Sequence, residues 1–381
     1  MNKLRIIASL TALAVTSFIA LPGLAAAADE TITLQNSVVP RGGKLYKEKR
    51  VPVNTSLSVQ VHTPGTSAKV NPLKRSVMKF PTDLTYNPNN RRTPVCPDSK
   101  LNQRSNLAAG VAAIVAICPR SVIGTGVAEI YIAKIHQPTA LIGDPQLVIF
   151  NAGRDKHGNA RMKIYAYSKT TNYGILMFGS LTKKGIENVF IPVLSNDSAT
   201  ASFRLDIPGS GIQVETDNGT ETVKGLDPNY ARSKCSSGKW TTDGTFTLGE
   251  RAGPGGTDTG PETIVKATPF TMNCKGLKGN PRLKKARAYG PKRLRRGSRK
   301  VFKVKVKNTG TAVARGVKVK AYGSARGSSR MANIWPGQTR WTKVKARVTG
   351  RKGSKAKIVF RINPKNGRAT KTVAWGRILR R

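Results

Sequence analysis

Acidic residues are missing from the last third of this chain. Of 381 residues, 66 are Lys or Arg and 19 are Asp or Glu, a formal net charge of +47, yet no acid follows Glu262. Residues 263–381 hold 36 of the basic residues, and residues 1–262 hold the other 30 with all 19 acids, a net +11. A domain with that field attracts polyanions, with affinity that falls steeply as salt rises. Repulsion among its own charges opposes folding, so a bound polyanion is expected to stabilise it.

Histidine is also scarce, limited to His62, His136 and His157. There is no GxSxG nucleophile elbow, no HExxH, no Walker A loop and no GxGxxG, which leaves hydrolase, zinc-protease and nucleotide-binding chemistry without their usual residues. His62 lies in a period-two segment and reads as a surface strand histidine. His136 falls between the segment Val127–Ile135 and Pro138, at a strand end. The stretch Asp155-Lys156-His157-Gly158-Asn159 could offer oxygen and imidazole ligands, but polar hairpin loops of this composition are far commoner. A glycosidase needs two carboxylates about 5–10 Å apart. Glu129, Asp144, Glu187, Asp206, Glu215 and Asp217 are available, but 19 acids always permit some pair. Glu129, inside an apolar strand, is read as salt-bridged or at an edge. No catalytic residue, metal ligand or cofactor is called for.

Only four cysteines are present, Cys96, Cys118, Cys235 and Cys274, and none forms a CxxC pair. Zinc ribbons and thioredoxin-type chemistry are therefore not indicated. Cys96–Cys118 and Cys235–Cys274 are the favoured disulfides among three connectivities, because each pair falls within one local unit. Long apolar runs are confined to the beginning. Lys3 and Arg5 precede the uncharged run Ile6–Ala20, Pro22-Gly23 breaks it, and Ala26-x-Ala28 puts small residues before Asp29. Residues 1–28 thus have the layout of a cleavable secretory signal, and no later run reaches the ~20 residues of a bilayer span. Disulfides agree with an exported, extracellular or cell-wall-associated protein, with no integral membrane span after signal cleavage.

The remainder supports an all-β fold: a disulfide-containing β-sandwich over 29–275, a basic linker over 276–299 and a small immunoglobulin-like β-sandwich over 300–381. In the first domain, short β-branched and aromatic segments alternate with turns. They are Thr31–Val39, Leu57–His62, Val77–Tyr86, Val127–Ile135, Gln146–Asn151, Met162–Tyr167, Gly174–Ser180, Asn188–Val193, Ser202–Ile207, Thr242–Leu248 and Thr263–Met272. Asn151–Asn159, Asp217-Asn218-Gly219 and Asp243-Gly244 read as turns, and Arg251–Pro261 as an exposed loop. The alanine-rich stretch Asn106–Ile117 is either a short helix or a buried strand.

In the last domain the alternation is clean. Phe302, Val304 and Val306 interleave with Lys303, Lys305 and Lys307, and Val317 and Val319 with Lys318 and Lys320. Val344, Ala346 and Val348 interleave with Lys343, Lys345 and Arg347, and Ile358, Phe360 and Ile362 with Lys357 and Arg361. Period two places the apolar set inward and the cations outward. Together with Lys284, Lys285, Lys292, Arg293, Arg295 and Arg296 of the connector, the cations at 303, 305, 307, 318, 320, 343, 345 and 347 are the candidate polyanion-binding residues. Trp335, Trp341 and Trp375 lie in the same domain. They are either core residues or stacking platforms beside the cations.

Val304-Lys305-Val306-Lys307-Asn308-Thr309-Gly310-Thr311-Ala312, followed by Gly316-Val317-Lys318-Val319, resembles the V-x-V-x-N-x-G-x-A … V-x-V signature of bacterial CARDB-type domains. Ile334-Trp335-Pro336-Gly337-Gln338-Thr339 resembles their I-x-P-G-x-S/T turn. The resemblance covers about 80 residues, 300–380, and implies an immunoglobulin-like sandwich with an adhesion or spacer role and no catalytic residues. Such domains usually mix both charge signs, and this one has no acid. The earlier Cys96-Pro97 and Cys118-Pro119-Arg120-Ser121 resemble a Cys-Pro…Cys-Pro pattern of uncharacterised secreted bacterial β-domains, which bears on architecture only.

The expected function is a secreted, non-enzymatic, cell-envelope-associated or adhesion-type protein. Its basic domain would bind anionic envelope polymers or acidic polysaccharide and, without sequence preference, extracellular nucleic acid. The alternative is a carbohydrate-binding protein or carbohydrate-active enzyme with its site in 29–275. A third reading is a spacer whose charge serves only solubility.

Overall fold

The computed structural model describes residues 30–63, 71–87, 89–131, 141–182, 186–190 (backbone only), 199–249 and 262–380. The signal-like segment 1–28, His136 and the Arg251–Pro261 loop lie outside the described residues, as does part of Asn188–Val193. The fold is all-β with two disulfides, Cys96–Cys118 and Cys235–Cys274.

The first domain is built on a 15-stranded sheet. Its central strands, Val122–Tyr131, Gln146–Arg154, Ala160–Ser168 and Tyr173–Leu181, pair antiparallel with their neighbours. Both faces of these strands are covered, so their sequences read as apolar runs rather than alternations. Leu147, Ile149, Met162, Ile164, Ile175 and Met177 face one core. Val148, Phe150, Tyr165 and Leu176 face a second core beneath the Cys96–Cys118 crosslink and the helix Gly110–Ile117. The alanine-rich stretch is thus helical, entered through a 3-10 turn at Leu107–Ala109. The sheet curls back on itself. Asn36 of strand Thr31–Pro40 donates to Thr242 of strand Lys239–Leu248 (2.9 Å), although the two strands are joined at distant points of the sheet.

Several local expectations change. Asp243-Gly244 is not a turn but the middle of strand Lys239–Leu248, where an added Cβ at Gly244 would meet the Phe246 ring at 2.6 Å. Gly is needed there for close packing rather than for chain reversal. The segment Thr263–Met272 is two strands, Thr263–Lys266 and Phe270–Asn273, pairing with successive parts of Lys239–Leu248. Val77–Tyr86 likewise divides into Leu73–Lys79 and Thr85–Tyr86. The turns at Asn151–Asn159 and Asp217–Gly219 do connect paired strands, Gln146–Arg154 with Ala160–Ser168 and Ile212–Thr216 with Gly219–Val223.

The second domain is an eight-stranded sheet in the order Leu283–Tyr289, Arg299–Asn308, Thr339–Val348, Ala325–Met331, Val317–Gly323, Lys355–Asn363, Thr370–Ile378, Arg293–Leu294. The stretch 276–299 is therefore not a free linker: it supplies both terminal strands of this sheet. The sheet folds over one apolar core. Phe302 and Phe360, on strands that are not neighbours in the sheet, meet there with ring centroids 5.5 Å apart. The carbonyl of Ala286 accepts from the Thr372 hydroxyl, drawing the two ends together.

Asn308, from the CARDB-like signature, is fully buried and satisfies four backbone groups. Its amide donates to the carbonyls of Ala312 and Ile334, and its carbonyl accepts from the N–H of Arg282 and Gly310. The signature thus encodes a side chain that pins the entering strand, the following loop and the Ile334–Gln338 turn to one another. The two domains meet through a short parallel pairing of Leu45–Tyr46 with Gly276–Leu277, next to the Cys235–Cys274 crosslink. Glu48 then reaches across to the Val313 N–H (2.5 Å) and the Arg315 guanidinium (2.7 Å).

Candidate polyanion-binding faces

Alternation in the second domain sends the valines, Phe302, Phe360 and the isoleucines into the core and leaves the intervening cations in solvent. On one face, made by Leu283–Tyr289, Arg299–Asn308 and Thr339–Val348, the register sets Lys284 against Lys307, Arg287 against Lys305, Lys303 against Lys343 and Arg299 against Arg347. Arg347 also faces Arg326 of the neighbouring strand. On the other face, Lys318 stands against Arg330, and Lys320 against Arg361, which also faces Lys371. Lys355 stands against Arg377, which also faces Arg293. That makes ten directly facing cation pairs.

Like charges opposite one another in a sheet are destabilising. At ~5 Å in bulk water one pair costs about 0.8 kcal/mol before salt screening. Among the described residues the only ion pair made by 263–380 is Arg315–Glu48, and Glu48 belongs to the other domain. A surface serving solubility alone gains by interspersing both signs, and these rows carry one sign only.

Tryptophan placement strengthens the faces. Trp341, opposite Lys305, and Trp375, opposite Lys357, are about half exposed, at 51% and 53%. They are not core residues. The Lys303 ammonium lies 4.4 Å from the Trp341 ring centroid, and those of Lys355 and Lys357 lie 4.9 and 5.6 Å from that of Trp375. Cation–π contact holds each lysine beside a flat apolar ring, as stacking plus phosphate pairing requires. Trp335 is exposed in the turn after Ile334.

The candidate cations are divided by the fold. Lys284, Lys303, Lys305, Lys307, Lys343, Lys345 and Arg347 share the first face, and Lys318 and Lys320 the second. Lys285 sits at a bulge with φ +52, and Lys292, Arg293, Arg295 and Arg296 are exposed along the end near Leu294. Arg287, Arg326, Arg330, Lys355, Lys371 and Arg377 join them without having been singled out in the sequence. Strand Ala325–Met331 (ARGSSRM) has too few apolar residues to betray its alternation. For Trp341, counting by two from Lys343 would have revealed its outward position.

The first domain uses its polar residues structurally. Glu129 lies in a central strand, not at an edge, and its hydrogen-bond partner among the described residues is the Ser202 hydroxyl, which donates to it at 2.7 Å. Asp144 accepts from the Ser168 hydroxyl and the Thr170 N–H. Asp206 pairs with Arg204, and Glu215 with Lys169. His62 is on the surface, bonded to Thr33. Asp155 accepts from the N–H groups of His157 and Asn159, which closes the hairpin turn. No cluster of three or more His, Cys, Asp or Glu with metal-binding geometry occurs among the described residues. Lys163 went unnoticed in the sequence: it is fully buried, donates to the Leu101 carbonyl and pairs with Asp98 at 2.9 Å. That hydrogen bond holds the Asp98 carboxyl below its ordinary pKa against the opposing effect of burial.

Among the described residues no helix is long and apolar enough to cross a membrane. No family model and no curated protein matches the chain.

Proposed function

We propose that this is an exported, non-enzymatic protein of the cell envelope or an adhesion-type protein, whose C-terminal domain holds anionic polymers. Wall phosphopolymers and acidic polysaccharide are the partners that fit an exported chain, and nucleic acid outside the cell is the unspecific competitor. One observation carries the reading. The acid-free sheet aligns cations in directly facing pairs on both outer surfaces, with half-exposed tryptophans among them and no internal counter-charge on those surfaces among the described residues. The basic start of the chain with its uncharged run supports export, and so do the two disulfides. The CARDB resemblance supports a role in adhesion or display.

The test is binding of the full chain to isolated bacterial cell walls and to DNA, from low salt to about 0.5 M. Retention at about 0.15 M, with log affinity falling linearly against log salt, is expected. Preference for walls over DNA at equal anion concentration identifies the envelope as target. No binding to either at about 0.15 M overturns the proposal.

A further inference from the structure

The two cationic faces point in opposite directions. Phe302 and Phe360 meet inside the core. Their outward neighbours Lys303 and Arg361 therefore emerge on opposite sides of the domain. The strands that carry them pack at roughly 10 Å, and the side-chain lengths add to that separation. Both rows lie in solvent, where salt at physiological strength screens exposed charges beyond ~8 Å, so an anion held on one face is screened from cations on the other by the ions around the domain. Each face carries its own tryptophan, Trp341 or Trp375, with lysine stacked on it. Among the described residues, the hydrogen bonds, ion pair and strand pairing that join this domain to the first lie off both faces. Glu48 engages Val313 and Arg315 at one end of the sheet, and Gly276–Leu277 pairs outside the sheet altogether.

We propose that the C-terminal domain is a cross-linker that binds one linear phosphopolymer chain on each face and so ties separate chains together. This rests on the polyanion-binding reading above but goes beyond it. A single binding surface would decorate a polymer, whereas two opposed surfaces gather polymers into a network. Charge complementarity selects the occupant: rows of Lys and Arg without acids suit phosphate, which Arg can grip through two donors at once.

The test uses the full chain and inorganic polyphosphate. With oligomers of about ten phosphates, too short to wrap the domain, native mass spectrometry or calorimetry at about 0.15 M salt should give two oligomers per chain. The variant Lys303→Gln, Lys305→Gln, Lys343→Gln and the variant Lys320→Gln, Lys357→Gln, Arg361→Gln should each keep one oligomer at the wild-type affinity, within about threefold, and bind the second at least about tenfold more weakly. Long polyphosphate should turn turbid with the wild-type chain at substoichiometric protein and stay clear with either variant at equal occupancy. One oligomer per wild-type chain overturns cross-linking while leaving polyanion binding in place, and so does undiminished turbidity with either variant. Absence of any wild-type binding overturns both proposals. All six positions are exposed, and the wild-type stoichiometry decides the matter even if a variant folds poorly.

Discussion

Salt dependence gives the sharpest test of the first face, because its expected size follows from counting. Arg287, Lys303, Lys305, Lys343, Lys345 and Arg347 are exposed and adjacent across the strand register. If a single-stranded phosphodiester chain lies along them, each neutralised phosphate adds roughly 0.7 to the slope of log affinity against log salt, giving about −4. Raising salt from about 50 to 200 mM should then weaken binding roughly 300-fold. Replacing Lys303, Lys305 and Lys343 by Gln removes half of those contacts, so the slope should fall to about −2 and the loss over the same interval to about 20-fold.

The assay is fluorescence anisotropy with a labelled oligonucleotide, with the opposite face silenced by Lys320→Gln, Lys357→Gln and Arg361→Gln so that one surface is read at a time. Trp341 supplies an internal control. Its ring sits among the contact residues, half exposed, so its emission should be quenched in step with the anisotropy change. An unchanged slope in the triple variant would refute the assignment of this face, since the affinity would then come from cations elsewhere. A slope near zero in the parent would refute phosphate pairing itself.

Three further outcomes follow from single contacts. Asn308→Ala strands four backbone groups around a buried site. At ~1–3 kcal/mol for each buried group left unpaired, partly relieved by relaxation, the loss should be about 4 kcal/mol, read as a lower denaturant midpoint in tryptophan emission; an unchanged midpoint contradicts the role given to the signature asparagine. Burial acts to raise the Glu48 pKa, but the Val313 N–H and the Arg315 guanidinium outweigh it and hold the carboxyl below its ordinary value. A depressed folded pKa gives stability that is present above the ordinary glutamate value and lost as pH falls through the lower folded one. Hydrogen exchange should therefore show the Val313 amide protected at neutral pH, losing protection in that acid window and losing it at all pH values in Glu48→Ala. Replacing Cys235 and Cys274 by Ser opens a loop of 39 residues, worth about 4 kcal/mol in the chain-entropy account, and denaturant unfolding of the first domain should shift accordingly.

How much of this was legible depends on how local the cause was. The second domain declares itself because a covered face and a solvated face impose period two, as in Phe302–Lys307 and Lys343–Val348. Gln146–Arg154 and Ala160–Ser168 show no such period, since both their faces are covered. That same double coverage hides Lys163, a lysine in an apolar run whose partner Asp98 comes from a distant loop. Arg293–Leu294 and Leu283–Tyr289 looked like a connector because glycine, proline and charge dominate there. Only the long-range pairing with Thr370–Ile378 and Arg299–Asn308 makes them strands. Glu48 was invisible for the same reason: its partner Arg315 is 267 residues away.

That one carboxylate also shows how the charge is deployed. A domain with no acids of its own could have been neutralised by its neighbour, which holds all 19 of the protein's acids. Among the described residues the neighbour contributes a single ion pair, and it is at the end of the sheet, where Arg315 lies beside the junction rather than on either cationic face. Counter-charge is thus present where the domains must be held together and missing where the strands present their rows of lysine and arginine. Folding alone gains nothing from that arrangement, because every facing pair costs energy in the free protein. Salt, or anions arriving from outside, would relieve the repulsion between those pairs, so the domain's denaturant midpoint should rise on adding polyphosphate, and an unchanged midpoint would count against the proposed occupancy of its faces.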